Sequence, residues 1–237
     1  MSVVRTWAIA LNGITGALVE VEADLSSQTP AFDLIGLADK ALGEAVRRVS
    51  NACFNAQLPL PRRRITVNLS PAALPKRGSG FDVAIAMAAI ATEHKISLES
   101  LHRTVHIGEL GLDGRLRPVP GVLPCVIAAR DAGFDRVVVP FANREEALLV
   151  PGIEVIGAVA LSDVARAHGV ECEEHELEPI TSSSTVVADP LPGDLKDVVG
   201  QRDAVESLIV AAAGAHHVVM SGPPGAGKTM LASRLPG

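Results

Sequence analysis

Gly222-Pro223-Pro224-Gly225-Ala226-Gly227-Lys228-Thr229 fits the phosphate-loop pattern of a glycine, four residues, then Gly-Lys-Thr. His217-Val218-Val219-Met220-Ser221 before it reads as a short buried strand, and Met230 to Leu235 after it as the first turns of a helix. Glycines let phosphate oxygens approach backbone N–H groups closely, because they lack a Cβ and accept positive φ. A helix beginning at the lysine aims its free N–H groups and positive dipole end at the same anion. The pattern therefore predicts that Gly222, Pro223, Pro224, Gly225, Ala226 and Gly227 cradle phosphates. Lys228 would reach the β- and γ-phosphates, and the Thr229 hydroxyl would hold Mg2+. No second strand carrying a metal-binding acid follows before Gly237, so the chain reads as the front of a longer protein.

Outward from this loop, 237 residues allow one large or two modest domains, and a hydrophobic content of 48% supports a substantial core. No apolar run has membrane-spanning length, and the first residues lack the basic start of a signal peptide, so no membrane partner is expected. Cys53, Cys125 and Cys172 form neither a CxxC pair nor an even framework. Reduced thiols in a cytoplasmic protein are the expectation. Basic residues exceed acidic ones before residue 81, and the reverse holds after it, for a net charge of −6. That split argues against a uniformly basic nucleic-acid coat.

Val3 to Leu11 and Gly16 to Asp24 read as strands joined by an Asn12-Gly13 hairpin. Leu42, Val46, Val49 and Cys53 recur at spacings of four, three and four, predicting an amphipathic helix over 39–57. Further expected elements are a strand at 64–69, a loop over 70–80, a helix apolar nearly all round at 81–92, and a strand at 105–110 turning back through 115–119. Strands and helices then alternate: helix 122–132, strand 136–139, helix 143–149 capped by Asn143, strand 153–156, and helix 161–168 with Ser162 near its cap. Asp82 is expected to cap the helix it opens. Glu171 to Asp194, rich in Glu, Ser and Pro, reads as an extended linker. The expected organisation is a leading domain over 1–170, an acidic Ser/Pro-rich linker over 171–194, and the start of a nucleotide-binding module over 195–237.

Asp197-Val198-Val199-Gly200-Gln201 upstream of the phosphate loop resembles the beginning of an AAA+ ATPase module, which implies that Val199, Gly200 and Gln201 lie beside the adenine. The leading domain is similar to that of the magnesium-chelatase-like YifB/ComM proteins. The resemblance is carried by Phe32-Asp33-Leu34-Ile35-Gly36-Leu37-Ala38-Asp39, by Ile65-Thr66-Val67-Asn68-Leu69-Ser70-Pro71-Ala72 and by Gly108-Glu109-Leu110-Gly111-Leu112-Asp113-Gly114. It covers nearly the whole chain, with both domains in the family's order. That domain in turn resembles the Lon protease catalytic fold from Gly108 to Pro140. The implied fold class is α+β: a Lon-like mixed sheet with helices, then the truncated start of a P-loop α/β domain.

The Lon pattern fails at its chemistry. Aligning Pro75-Lys76-Arg77-Gly78 with the segment before the Lon serine puts Gly80 at the nucleophile position, with Ser79 one residue off. Aligning Pro118 to Gly121 likewise puts Leu123 at the lysine position. A silent protease domain is therefore expected. Arg47, Arg48, Arg62, Arg63, Arg64, Lys76 and Arg77 are candidates for a basic face meeting DNA phosphates, against the alternative of ordinary surface paired with Glu44 and Asp82. Cys172 and His175 lack the further ligands a zinc site needs, and His216-His217 reads as structural.

The resemblance implies an ATP-driven ring motor using ATP and Mg2+, hexameric through a neighbour's arginine, acting on DNA by branch migration in recombination and natural transformation. The alternative is the ATPase motor subunit of a metal chelatase. Lower in rank stand a Lon-type peptidase and a non-enzymatic partner-binding module. Residues 1–237 by themselves are expected not to hydrolyse ATP.

Overall fold

A computed structural model of the chain describes residues 3–36, 40–76, 78–172, 177–180 and 193–235. Leu37, Ala38, Asp39, Arg77, His175 and most of the expected linker lie outside the described residues. Contacts divide the chain into two compact units, Met1–Ser182 and Ser183–Gly237.

The leading unit is built on a seven-stranded mixed sheet of order β3-β4-β2-β1-β5-β8-β9. The strands are β1 (Val4–Asn12), β2 (Thr15–Ser26), β3 (Ala31–Ile35), β4 (Arg64–Ser70), β5 (Thr104–His106), β8 (Arg136–Pro140) and β9 (Glu154–Ala158). β1–β2 and β2–β4 are antiparallel, and the other four neighbouring pairs are parallel. The expected hairpin forms with Asn12 paired to Thr15 and Gly13 at φ +62, so the two turn residues are Gly13 and Ile14.

Period-two alternation sends side chains to two cores, one on each face. Ala8 and Ala10 of β1, Val19, Val21 and Ala23 of β2, and Ile65, Val67 and Leu69 of β4 meet α1 (Lys40–Asn55) and α2 (Asp82–Ile90). Ile9 of β1, Val105 of β5, and Val137 and Val139 of β8 meet α4 (Val122–Asp131) on the other face. α4 lies so close to the start of β2 that a Cβ on Gly16 would come within 2.5 Å of the Ala128 methyl. Every residue of α2 is buried, as its lack of a polar face requires. Full burial of Ile85, Met87 and Ile90 contributes about 1.5–3 kcal/mol each. α1 buries Ala45, Val49, Ala52 and Cys53; of the stripe expected from spacing, Val49 and Cys53 are fully buried, Val46 is half-buried, and the side chain of Leu42 lies outside the described residues.

Several expectations change. The strand expected over 105–110 splits after His106, because Gly108 donates its N–H to Gly80 O and accepts from Val83 N. With both polar groups so engaged, the chain leaves the sheet, and β6 (Glu109–Leu110) pairs instead with β7 (Leu116–Arg117). Asn143 caps nothing: its Oδ1 accepts from Val119 N at 3.0 Å and its Nδ2 donates to Val119 O at 3.1 Å. It thereby ties the loop before α4 to the start of α5 (Arg144–Ala147). α6 (Leu161–Ala167) starts after Ala160, and Asp163 rather than Ser162 satisfies its first turn, accepting from Val159 N and Ala160 N. Asp82 lies inside α2, where its carboxylate faces Arg48 and Leu110 N. Two elements were not anticipated, the short edge strand β3 and the five-residue α3 (Leu98–His102). Both are too brief to show a period, and β3 takes its register from β4.

The second unit contains a 3-10 turn at Leu195–Asp197, α7 (Arg202–Ala213) and α8 (Lys228–Ser233). The strand expected at 217–221 does not form. A strand needs a hydrogen-bonded neighbour, and this unit offers none among the described residues. Val219 is accordingly 93% exposed. No helix among the described residues is long and apolar enough to cross a membrane.

Candidate nucleotide-binding site

The eight-residue loop spans 222–229 between the extended segment and α8, and α8 starts at Lys228. Gly225 and Gly227 turn the chain at φ +82 and +80, values that cost a residue with a Cβ about 1–2 kcal/mol. A Cβ on Gly227 would also press on Gln201 Nε2 and on the Met230 methyl, each at 3.2 Å. Lys228 folds back over the loop, and its ammonium donates to Gly222 O and Pro223 O, both at 2.8 Å. These carbonyls hold a positive charge at the centre of the turn. Thr229 is exposed at the first turn of α8, its hydroxyl open to a ligand.

Of the three residues expected beside the base, Gln201 reaches the loop: its Nε2 donates to Ala226 O at 3.4 Å. It does so from a left-handed backbone conformation, φ +51, at the N-cap of α7. Gly200, at φ +81, makes the turn that delivers it. Val199 is 98% exposed. The donor set fits a nucleotide triphosphate: one cation, one hydroxyl and a glycine-lined turn, with no carboxylate among residues 217–235 to repel it.

In the leading unit the seven candidate phosphate contacts separate. Lys76 is buried at 2% exposure and is corrected to a structural role. Its ammonium donates to Pro71 O at 2.5 Å, Leu74 O at 3.1 Å and Gly36 O at 3.2 Å. Desolvation lowers its pKa, and it does not face solvent. Arg48 is corrected likewise. It pairs with Asp82 through two bonds of 2.8 and 3.1 Å, and also lies 3.9 Å from Glu44, the internal pairing weighed as the alternative. Burial raises the Asp82 carboxyl and Arg48 pulls it back; with two guanidinium bonds and Leu110 N donating to it, we assign the carboxylate form at neutral pH. Arg64 pairs with Asp33 at 3.5 Å. Arg47, Arg62 and Arg63 remain exposed, and Arg77 lies outside the described residues.

Where the Lon alignment placed a nucleophile, Gly80 offers no side chain, and the neighbouring Ser79 hydroxyl donates to the Glu109 carboxylate. Leu123 packs against the second core, with its N–H donating to Glu146 at 3.0 Å. Cys53 and Cys125 are buried thiols pushed up to about 12 by desolvation. No group of three metal-ligating side chains occurs among the described residues.

Comparison with known proteins accounts for the pairing of these two units. The family model described as subunit ChlI of Mg-chelatase matches residues 21–143, and that of magnesium chelatase, subunit ChlI, matches residues 194–237. The competence protein ComM of Haemophilus influenzae is 39% identical over 238 residues, across 100% of this chain and 47% of its own length. The chain belongs to the magnesium-chelatase-like YifB/ComM family. An uncharacterised protein of Mycobacterium tuberculosis is 45% identical, and the uncharacterised protein YifB of Escherichia coli 36%, each across 100% of this chain and 46% of its own length. The chain thus spans about half the length of these family relatives. Lon protease 2 of Bacillus subtilis is 25% identical over 167 residues, across 63% of this chain and 30% of its own length, in keeping with the Lon-like fold of the leading unit.

Of two polar groupings, sequence reasoning weighed the first only as an alternative and missed the second. The Arg48–Asp82 pair joins residues 34 apart in sequence, and only the packing of α1 on α2 brings them together. A buried relay also runs from Thr6 Oγ1 to His106 Nδ1 at 2.9 Å, from His106 Nε2 to His168 Nε2 at 2.9 Å, and from His168 Nδ1 to Ser100 Oγ at 2.8 Å. An apolar-flanked His106 within a strand was the one available signal for it.

Proposed function

We propose that the chain is part of an ATP-driven ring motor that acts on DNA. The observation that carries this is the phosphate loop itself, with Lys228 held over its carbonyls and Gln201 bonded to it, joined in one chain to a leading domain related throughout to ComM. Lys228 would exchange its two carbonyl partners for β- and γ-phosphate oxygens. The glycine turn of 222–227 would receive the phosphate oxygens on its N–H groups, Thr229 would hold Mg2+, and Val199, Gly200 and Gln201 would flank the adenine. Bound MgATP supplies the energy of phosphoryl transfer; the residues here bind and orient it. Hydrolysis further requires an acid to polarise the attacking water and an arginine from a neighbouring copy in a hexameric ring. The leading domain is proteolytically silent, because Ser79 faces a carboxylate and Lys76, the lysine next to that loop, is committed to three carbonyls.

ComM is named for competence, which favours recombining DNA as the substrate and branch migration as the action. The test uses a polypeptide of the relatives' full length on a labelled four-way DNA. ATP-dependent strand exchange that disappears in Lys228→Ala is the expected result, and no exchange by the unaltered protein rejects the DNA substrate. The chelatase reading draws on the names of the family models. Porphyrin metallation stimulated by the same polypeptide would put it first.

A further inference from the structure

The leading unit carries an exposed aromatic beside cations that have no carboxylate partner among the described residues. Phe54, near the end of α1, is 73% exposed, although the same helix buries Cys53 completely. It lines a cleft of about 330 Å³ together with Phe32, and the run from Pro59 to Arg63 makes up one wall. The wall is firm: prolines fix two of its φ angles, and Arg63 N donates to Pro61 O at 2.8 Å. Residues 40–65 contain six basic residues and one acidic one. Of these, Arg48 and Arg64 have carboxylate partners. Among the described residues, no carboxylate pairs with Arg62, Arg63 or Arg47, which lies two helical turns before Phe54 on the same face of α1.

We infer that this cleft is a binding site for single-stranded nucleic acid, with a base stacked on Phe54 and the flanking phosphates on Arg62 and Arg63. An exposed ring beside two adjacent guanidiniums is the pairing that single-strand binders use: the ring takes any base face, and the cations follow the backbone. The ring selects the strand state: a duplex base is covered by its neighbours on both faces, whereas a single strand can splay one base out onto the exposed Phe54 ring. The inference rests on the DNA-directed reading above and gives its single-stranded arm a location. A protein ligand of acidic character is the competing occupant, and the test separates the two.

The experiment is fluorescence anisotropy of a labelled dT oligomer of about 12 nucleotides, within the span single-strand binders cover, titrated with the 237-residue chain. Binding is expected, with a duplex of the same length binding more weakly. Phe54→Ala should weaken the oligomer about five-fold or more, while Phe54→Trp restores it. Both variants should keep the far-ultraviolet spectrum, because the ring lies outside the core. Arg62→Glu with Arg63→Glu should abolish binding. Two neutralised phosphates give a salt slope of about −1.4, a loss of about seven-fold between about 50 and about 200 mM salt.

Unchanged affinity in Phe54→Ala, or a duplex bound as well as the oligomer, overturns the inference. So does polyglutamate competing as strongly as the oligomer. Failure of the cleft and failure of the motor are distinct. If the full-length polypeptide still exchanges strands while this chain ignores the oligomer, the cleft alone is lost; if strand exchange is absent as well, the DNA-directed reading falls with it.

Discussion

Acidification should destabilise the leading unit in a pH window that ordinary carboxylates do not reach, because of the His106–His168 pair. Each ring uses both nitrogens in the relay from Thr6 to Ser100, and the 2.9 Å contact holds a single proton, so the two imidazoles cannot both be charged. Added protons would sit in a region with almost no water, since His106 is fully buried and His168 is 1% exposed. Desolvation, with Arg136 nearby, lowers the His168 pKa to about 4. Desolvation and the neighbouring imidazole take His106 well below 6.5. The unfolded chain binds these protons with pKa of about 6.5, so it holds more protons than the folded chain between about pH 6.5 and 4. Stability is therefore complete above pH 6.5 and falls as the pH drops towards the folded-state value.

For His168 alone, the difference between about 6.5 and about 4 amounts to about 2 kcal/mol lost at pH 5, and about 3 kcal/mol across the whole window. His106 adds in the same direction. The raised Asp82 carboxyl works in the opposite sense, but only where it begins to protonate. With a urea dependence of about 2 kcal/mol per molar, the midpoint should fall by about 1 M between about pH 7.5 and pH 5. Trp7 reports it: it is the single tryptophan, it sits on β1 opposite Val105, and its ring is 5.6 Å from that of Phe134. In His168→Gln the amide can retain a hydrogen bond but cannot titrate, so the variant should be weaker at neutral pH and lose most of the pH dependence. A midpoint that stays constant in the unaltered chain, or an equal slope in His168→Gln, would refute the reasoning.

Arg48→Met leaves the Asp82 carboxylate buried without its cation, and should lower the stability of the leading unit by about 3–5 kcal/mol in urea melts; adding Asp82→Leu should recover most of that loss. Lys76→Met removes donors from three carbonyls and should cost about 1–3 kcal/mol, while the salt dependence of DNA binding stays unchanged because this ammonium faces inward. In a coupled ADP-release assay the 237-residue chain alone should show no ATP turnover above background. Turnover in this chain that vanishes in Lys228→Ala would contradict the proposal that hydrolysis needs groups outside it.

The glycine turn before α8, the hairpin at Gly13 and the helices over 40–55 and 82–90 were legible in the sequence, because each is fixed by local physics. Positive φ selects glycine, and an apolar stripe at helical spacing, or an apolar surface all round, states how much of a helix must be covered. The family could be read for a similar reason: runs such as Ile65 to Ala72 and Gly108 to Gly114 are contiguous, so their pattern survives without the fold. Charge was the feature the sequence misplaced. Seven basic residues looked alike as letters, yet packing buries Lys76 among carbonyls and turns Arg48 onto Asp82, leaving Arg47, Arg62 and Arg63 facing water. Hydrogen-bond partners distant in sequence were equally hidden, including the redirection of the chain at Gly108 and the histidine pair 62 residues apart. Local conformational preference acts over a few residues and is written in their order; desolvation and ion pairing depend on which elements meet, and only the assembled sheet and its two helical layers decide that.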